Sequence, residues 1–206
     1  MPDALLLDWE GCIVDTSEMR QLARVRALEE EGLSPSAGTP MDPVVADIVA
    51  ARASRAFAER LGKGFVMRDG ARALLENAQA TSRVAIVTQA SRSETEFVLR
   101  LAALDDVVSS IVSADDGLEP WPSPMLFVTA IARLSTRREM RADHAVAIAT
   151  SSEVLRAARS AGLHTVALGV PAHVALESDG AIDSLDGLTV TTLGRIAGIT
   201  ATEHRA

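Results

Sequence analysis

The chain has 206 residues, of which 48% are hydrophobic and 23% charged; that is enough for one substantial core with a small second module, and it argues against disorder. A formal net charge of −8 and 3% aromatic residues with no tyrosine disfavour both phosphate-backbone binding and a stacking surface for single strands, so no nucleic-acid partner is expected. One cysteine, Cys12, fits a reducing compartment; no stretch reaches the roughly 18 apolar residues of a membrane span and no secretory pattern opens the chain, so the expected location is cytoplasmic, with no membrane partner.

The first element is the apolar run ALLLD, Ala4 to Asp8, which reads as a buried strand ending in a carboxylate. A helix follows from Ser17, with Gly32 closing it, and LSPSAGTPMDP is a turn-rich connection. A second helix is expected from about Pro43 to Leu61. Asp69 and Gly70 lead into the short amphipathic helix ARALLENAQA. RVAIVT, Arg83 to Thr88, is the second buried strand, and Ser91 opens a helix with Glu94 at its third position in the manner of a capping box. A third apolar run covers Val107 to Val112, a loop rich in acids, glycine and proline follows, and Pro124 to Leu134 is helical. Ala145 to Ala149 and His164 to Val170 are the fourth and fifth strands, separated by SSEVLRAARSAGL, a helix closed by Gly162. Beyond Pro171 come the apolar pair Ala181 and Ile182 and a terminal helix fragment. Strands alternating with helices imply an α/β fold: a three-layer, Rossmann-like, mainly parallel sheet covered on both faces. Residues 16–68 form a helical insert between 1–15 and 69–206, which make up the α/β core. In such sheets ligands bind beyond the carboxyl ends of the strands, which is where Asp8 would stand.

The order of these parts resembles the haloacid dehalogenase superfamily. ALLLDWEGCIVDT, VAIVTQAS, WPSPMLFVTAIARL and AVAIATSSEVLRAARSAGL are similar to its four motifs, and the insert behind the first motif resembles the β-phosphoglucomutase and phosphoglycolate phosphatase branch. The resemblance implies that Asp8 is the nucleophile, forming an aspartyl phosphate, and that Glu10 is the general acid and base. It implies that Thr88, with backbone amides around Gln89 and Ala90, holds the phosphoryl group, and that magnesium is the cofactor of an active form.

The motifs also depart from the family. Glu10 replaces an aspartate, and its extra methylene displaces the proton donor. Cys12 stands where threonine is usual. Trp121 takes the place of the lysine that precedes the Pro-x-Pro element. The chain's only lysine is Lys63, so no lysine downstream replaces it; Arg92, four residues beyond Thr88, is the nearest candidate cation, with a solvated helix position as its bland alternative. Ala149 and Thr150 occupy the positions of the metal-binding acids. Magnesium requires an oxygen-rich shell with one or two carboxylates. Asp8 and Glu10, joined by Glu153, are the candidate metal ligands, with Asp115 and Asp116 as further acids from a nearby loop.

Two functions follow from these observations. One is a phosphatase-type hydrolase acting on a small phosphorylated metabolite through Asp8, with activity weakened or lost because the lysine and the acids are missing. The other is a pseudoenzyme that binds a neutral small molecule or a protein partner, with Trp121 filling the vacated space. Arg20, Arg24, Arg52 and Arg55 in the insert are either ligand-facing or a solvated face. The sequence sets no oligomeric state.

Overall fold

The computed structural model describes residues 1–34, 41–118, 121–136 and 138–199, so the middle of the expected connection LSPSAGTPMDP lies outside the described residues. The chain divides into two compact units, Met1–Ile13 with Met67–Ala206, and Val14–Val66.

The first unit is built on six strands: β1 (Ala4–Asp8), β2 (Arg83–Val87), β3 (Ser110–Val112), β4 (Ala145–Ala149), β5 (His164–Leu168) and β6 (Gly180–Ile182). Every pairing is parallel, in the order β3-β2-β1-β4-β5-β6. The strands from β1 to β5 are short aliphatic runs buried on both faces, which is why they read as unbroken apolar stretches and not as alternating ones. The chain winds outward from β1 in both directions. The gap beyond β1 and β4 is therefore the topological switch point, the usual ligand crevice of an open parallel sheet.

Among the described residues the α-helical segments are α1 (Trp9–Cys12), α2 (Ser17–Glu30), α3 (Pro43–Leu61), α4 (Ala71–Gln79), α5 (Arg92–Leu101), α6 (Pro124–Leu134), α7 (Ser152–Ser160), α8 (Ala172–Ala175) and α9 (Val190–Ile196), of which α2 and α3 belong to the second unit. Their starts follow local chemistry. Ser91 accepts from the Glu94 amide at 3.2 Å, Ser123 from Met125 at 3.2 Å and Ser151 from Val154 at 3.4 Å; each satisfies an amide that the first turn leaves open. Proline opens α3 and α6, where its missing N–H costs nothing. On one face of the sheet Leu6, Ala85, Val87 and Ala147 pack with Phe127 of α6 and Leu155 of α7. Alanines on both sides let the helices approach closely, so a single large ring, Phe127, fills the layer. The intervening residues Leu5, Leu7, Val84 and Ile86 are equally buried, with α4 lying against β2.

The second unit is a pair of helices, α2 and α3, whose seam contains Ala27, Leu28 and Val49 with Met41, Val45 and Ala53 beside them. Asp42 caps α3 through the Val44 amide at 2.9 Å. Two of the insert arginines serve this unit: Arg20 lies 4.2 Å over the Phe57 ring, and Arg52 pairs with Glu31 at 2.8 Å and Glu30 at 3.4 Å. Arg24 and Arg55 are exposed. Among the described residues no helix is long and apolar enough to cross a membrane.

Beyond β3 an ion-pair knot fixes the acidic loop. Arg133 of α6 grips Asp116 with both terminal nitrogens, at 2.6 and 3.0 Å, and the Ser113 amide donates to the same carboxylate at 2.8 Å. Arg133 and Arg92 also donate to the Ile111 carbonyl at 2.8 Å each. Hydrogen bonding from Arg133 holds the Asp116 carboxyl down at about 2 against burial, which opposes it. Folding thus favours the ionised form, a contribution present above the ordinary carboxylate pKa and lost as pH falls towards about 2. Asp116→Asn should lower stability by about 1–2 kcal/mol at neutral pH, with the deficit shrinking as pH is lowered into that window; urea unfolding of both proteins across pH measures it.

Candidate active site at the carboxyl ends of the strands

Asp8 is the last residue of β1, half-buried at the switch point. The chain leaves it through a tight turn with Glu10 extended (φ −76°, ψ 131°) and Gly11 left-handed (φ 84°). Burial first, and the negative charge of Glu10 second, push the Asp8 carboxyl up to about 7, while the Glu10 amide donates to it and pulls the other way. Gly11 is required twice over. Its positive φ disfavours any L side chain, and a Cβ there would stand 2.5 Å from the Thr150 hydroxyl oxygen. Cys12 is fully buried, its thiol donating to the Ile148 carbonyl at 3.3 Å, and burial pushes its pKa well up, as does the charge of Asp8. It is a neutral tie between the turn and β4. Arg68 lies close enough to oppose that shift.

The neighbouring strand ends carry hydroxyls. Thr88 follows β2 and is 1% exposed; its amide donates to the Val112 carbonyl at 2.9 Å, and its side-chain oxygen accepts from the Ala90 amide at 3.0 Å. The Ala90 amide expected to meet a phosphoryl group is therefore engaged by Thr88 itself. Gln89 is exposed and Ala90 buried. Ser113 follows β3 in the same way, also 1% exposed. Thr88, Gln89, Ser113, Ala114, Leu118, Trp121 and Leu126 line a pocket of about 350 Å³. Among the described residues none of its lining side chains is charged. Trp121 is partly buried against the core beside Leu118, and the Trp121–Pro122 peptide bond is cis.

The remaining candidates lie elsewhere. Arg92 is neither a solvated helix residue nor a lining residue of the Thr88 pocket: its guanidinium is held by Ile111 and Asp116, and its amide donates to Asp115 at 2.6 Å. Asp115 and Asp116 are thereby committed to the loop. Glu153 sits in the exposed first turn of α7, 3.9 Å from Arg156. Among the described residues no three His, Cys, Asp or Glu side chains gather to hold a metal. Magnesium, the metal implied by the family resemblance, thus meets a poor donor set. Asp8 and Glu10 interact, but the β4 end offers the buried methyl of Ala149 and a Thr150 hydroxyl packed on Gly11 where a further carboxylate is needed for an octahedral oxygen shell.

Sequence reasoning passed over Ser113, Leu118 and Leu126. The signal for Ser113 was present: SIVS repeats the strand-then-hydroxyl pattern of AIVT, and the register of Val87 with Val112 places the two hydroxyl residues side by side.

A six-stranded parallel sheet in this order, with an aspartate at its switch point and a helical unit inserted after it in the chain, defines a Rossmann-like α/β core with an insert. A family model described as haloacid dehalogenase-like hydrolase matches residues 5–168, and the chain belongs to that family. Among solved structures, CbbY from Rhodobacter sphaeroides in complex with phosphate is 23% identical with a TM-score of 0.78, the match covering 94% of this chain and 99% of that one. A β-phosphoglucomutase from Clostridium difficile is 15% identical at a TM-score of 0.78, covering 96% and 98%. YfnB from Bacillus subtilis, solved bound to magnesium, is 18% identical at 0.66, covering 96% and 99%. These likenesses carry the fold. No curated protein matches the chain.

Because the folded-state pKa of Asp8 lies at about 7 against an ordinary 3.8, the folded protein binds the extra proton and pays an increasing cost as pH rises through that interval. Asp8→Asn should therefore stabilise the protein by about 1–4 kcal/mol at mildly alkaline pH and by little near pH ~4. Thermal melts of both proteins across this range, in buffer containing a chelator, measure the effect.

Proposed function

We propose that this family member has kept the hydrolase fold while phosphoryl transfer has been lost, and that it acts as a small-molecule-binding pseudoenzyme. The observation that carries this reading is the pocket beside Thr88: its described lining is uncharged, with the Trp121 indole where the family has a lysine. Phosphoryl transfer depends on charge stabilisation at the moving group, and each missing group of that kind costs on the order of a hundredfold or more. The lysine and the β4 acids are lost together, so their combined cost is roughly ten-thousandfold or greater. A dianion buried without cations is also expensive, so the favoured ligand is neutral rather than phosphorylated. The buried, neutral Cys12 thiol agrees with a reducing compartment such as the cytoplasm.

A second reading is favoured by the Asp8–Glu10 pair. Two interacting carboxyls, one of them raised to about 7, are the elements of nucleophilic and acid–base chemistry. Under it Asp8 attacks phosphorus in a small phosphorylated metabolite and Glu10 moves the proton.

A phosphate-release assay with p-nitrophenyl phosphate and a panel of sugar phosphates, with and without magnesium, separates the two. The expected result is release by the native protein no faster than by Asp8→Asn. Magnesium-dependent release that disappears in Asp8→Asn would establish the second reading and overturn the first.

A further inference from the structure

The pocket at the ends of β2 and β3 is more than a place from which charge has gone. Thr88 and Ser113 each directly follow the last residue of a strand, and the Val87–Val112 register sets them next to one another. The Thr88 oxygen already accepts from Ala90, which leaves its O–H free to donate. The Ser113 hydroxyl is buried and faces the Asp116 amide as the cap of the short turn Ala114–Asp116, and its proton has no acceptor among the described residues. Native structures rarely leave such a group unpaired, and a missing ligand atom is one physical explanation. Gln89 adds an amide at the exposed rim, able to donate and accept. Across from these polar groups stand the apolar surfaces of Trp121, Leu118 and Leu126. Apolar walls with a few convergent polar groups, enclosing about 350 Å³, are the usual make-up of a small-molecule site.

We infer that this pocket binds an uncharged polyhydroxylated small molecule, a polyol or an unphosphorylated sugar, with its hydroxyls on Thr88, Ser113 and Gln89 and its apolar face on the Trp121 indole. The choice follows from the lining. A purely apolar ligand would leave the Ser113 and Thr88 protons without acceptors, whereas an anion would find no countercharge among the described lining residues. A molecule with hydroxyls along one edge and C–H groups across one face meets both requirements. The inference rests on the proposed loss of phosphoryl transfer, because it assigns the pocket to a ligand without a phosphate group.

The test is titration of the full chain with ribose, glucose, myo-inositol and glycerol, each beside its monophosphate ester, followed by calorimetry and tryptophan emission. Trp9 is 1% exposed and Trp121 lines the pocket, so an emission change absent from Trp121→Phe reports occupancy at this site. At least one neutral probe should bind at millimolar concentration or below, with its phosphate ester at least about tenfold weaker. Ser113→Ala, checked by a thermal melt to be folded at the assay temperature because Ser113 also caps the turn after β3, should weaken the neutral probe by about tenfold. Failure of all neutral probes, tighter binding of the esters, or unchanged affinity in Ser113→Ala would each overturn the inference. Phosphate release is read separately, so an active enzyme that also binds the neutral probe would sink the pseudoenzyme reading and leave the pocket assignment standing.

Discussion

A parallel sheet delivers the carboxyl ends of all its strands to one edge, and every feature of this site descends from that constraint. Because β1 lies between β2 and β4, its last residue is flanked by the ends of both neighbours and opens on the crevice where the winding reverses. Five short strands then set one residue type each at that edge: Asp8, Thr88, Ser113, Thr150 and Gly169. Chemistry at such an edge is decided by single substitutions at strand ends, while the sheet beneath is decided by the aliphatic runs. The two can change independently. Here the sheet has the family's fold, and the edge carries, beside Asp8, the Ala149 methyl, the hydroxyls of Thr88, Ser113 and Thr150, and the Trp121 indole.

These groups are tied to the structure around them. Thr150 packs on the left-handed Gly11, Cys12 ties the turn after Asp8 to β4 through the Ile148 carbonyl, and Trp121 packs with Leu118 against the core. What remains unbalanced is electrostatic. Asp8 sits close to Glu10 with its carboxyl raised to about 7, and Arg92, the nearest arginine beyond Thr88 in sequence, is spent on Asp116 and a carbonyl. Arg92 and Arg133 stabilise the loop that follows β3, while Arg68 is the arginine near the Asp8–Cys12 turn and the β5 end at Gly169.

The sheet was legible because its strands are unbroken apolar runs bounded by turn residues. Ala4–Asp8 and Ala145–Ala149 could be read to the residue, as could the proline-opened helices at Pro43 and Pro124, where a fixed φ and a serine or aspartate cap mark the start. β6 showed only as an isolated pair, since an edge strand of three residues has too little buried surface to impose a pattern. The positions of Asp8 at the end of β1, Glu10 in the turn after it and Thr88 just beyond β2 also followed from order along the chain. The Arg92–Asp116–Arg133 knot did not, because it joins residues 17 and 24 positions apart through geometry that no local pattern encodes. Ser113 was missed for a different reason: a serine after a strand is ordinary, and only the register with β2 gives it a neighbour.

The way Thr88 is held bears on the thermodynamics of anything that docks beside it. Its amide is in the ladder with Val112 and its side-chain oxygen is pinned by the Ala90 amide, so neither backbone nor side chain has freedom left to lose. Ser113 retains only the rotation of one hydroxyl. A ligand settling on these two groups would leave the protein's conformational entropy almost untouched, so that the entropic cost of docking would fall on the ligand's own freedom of motion.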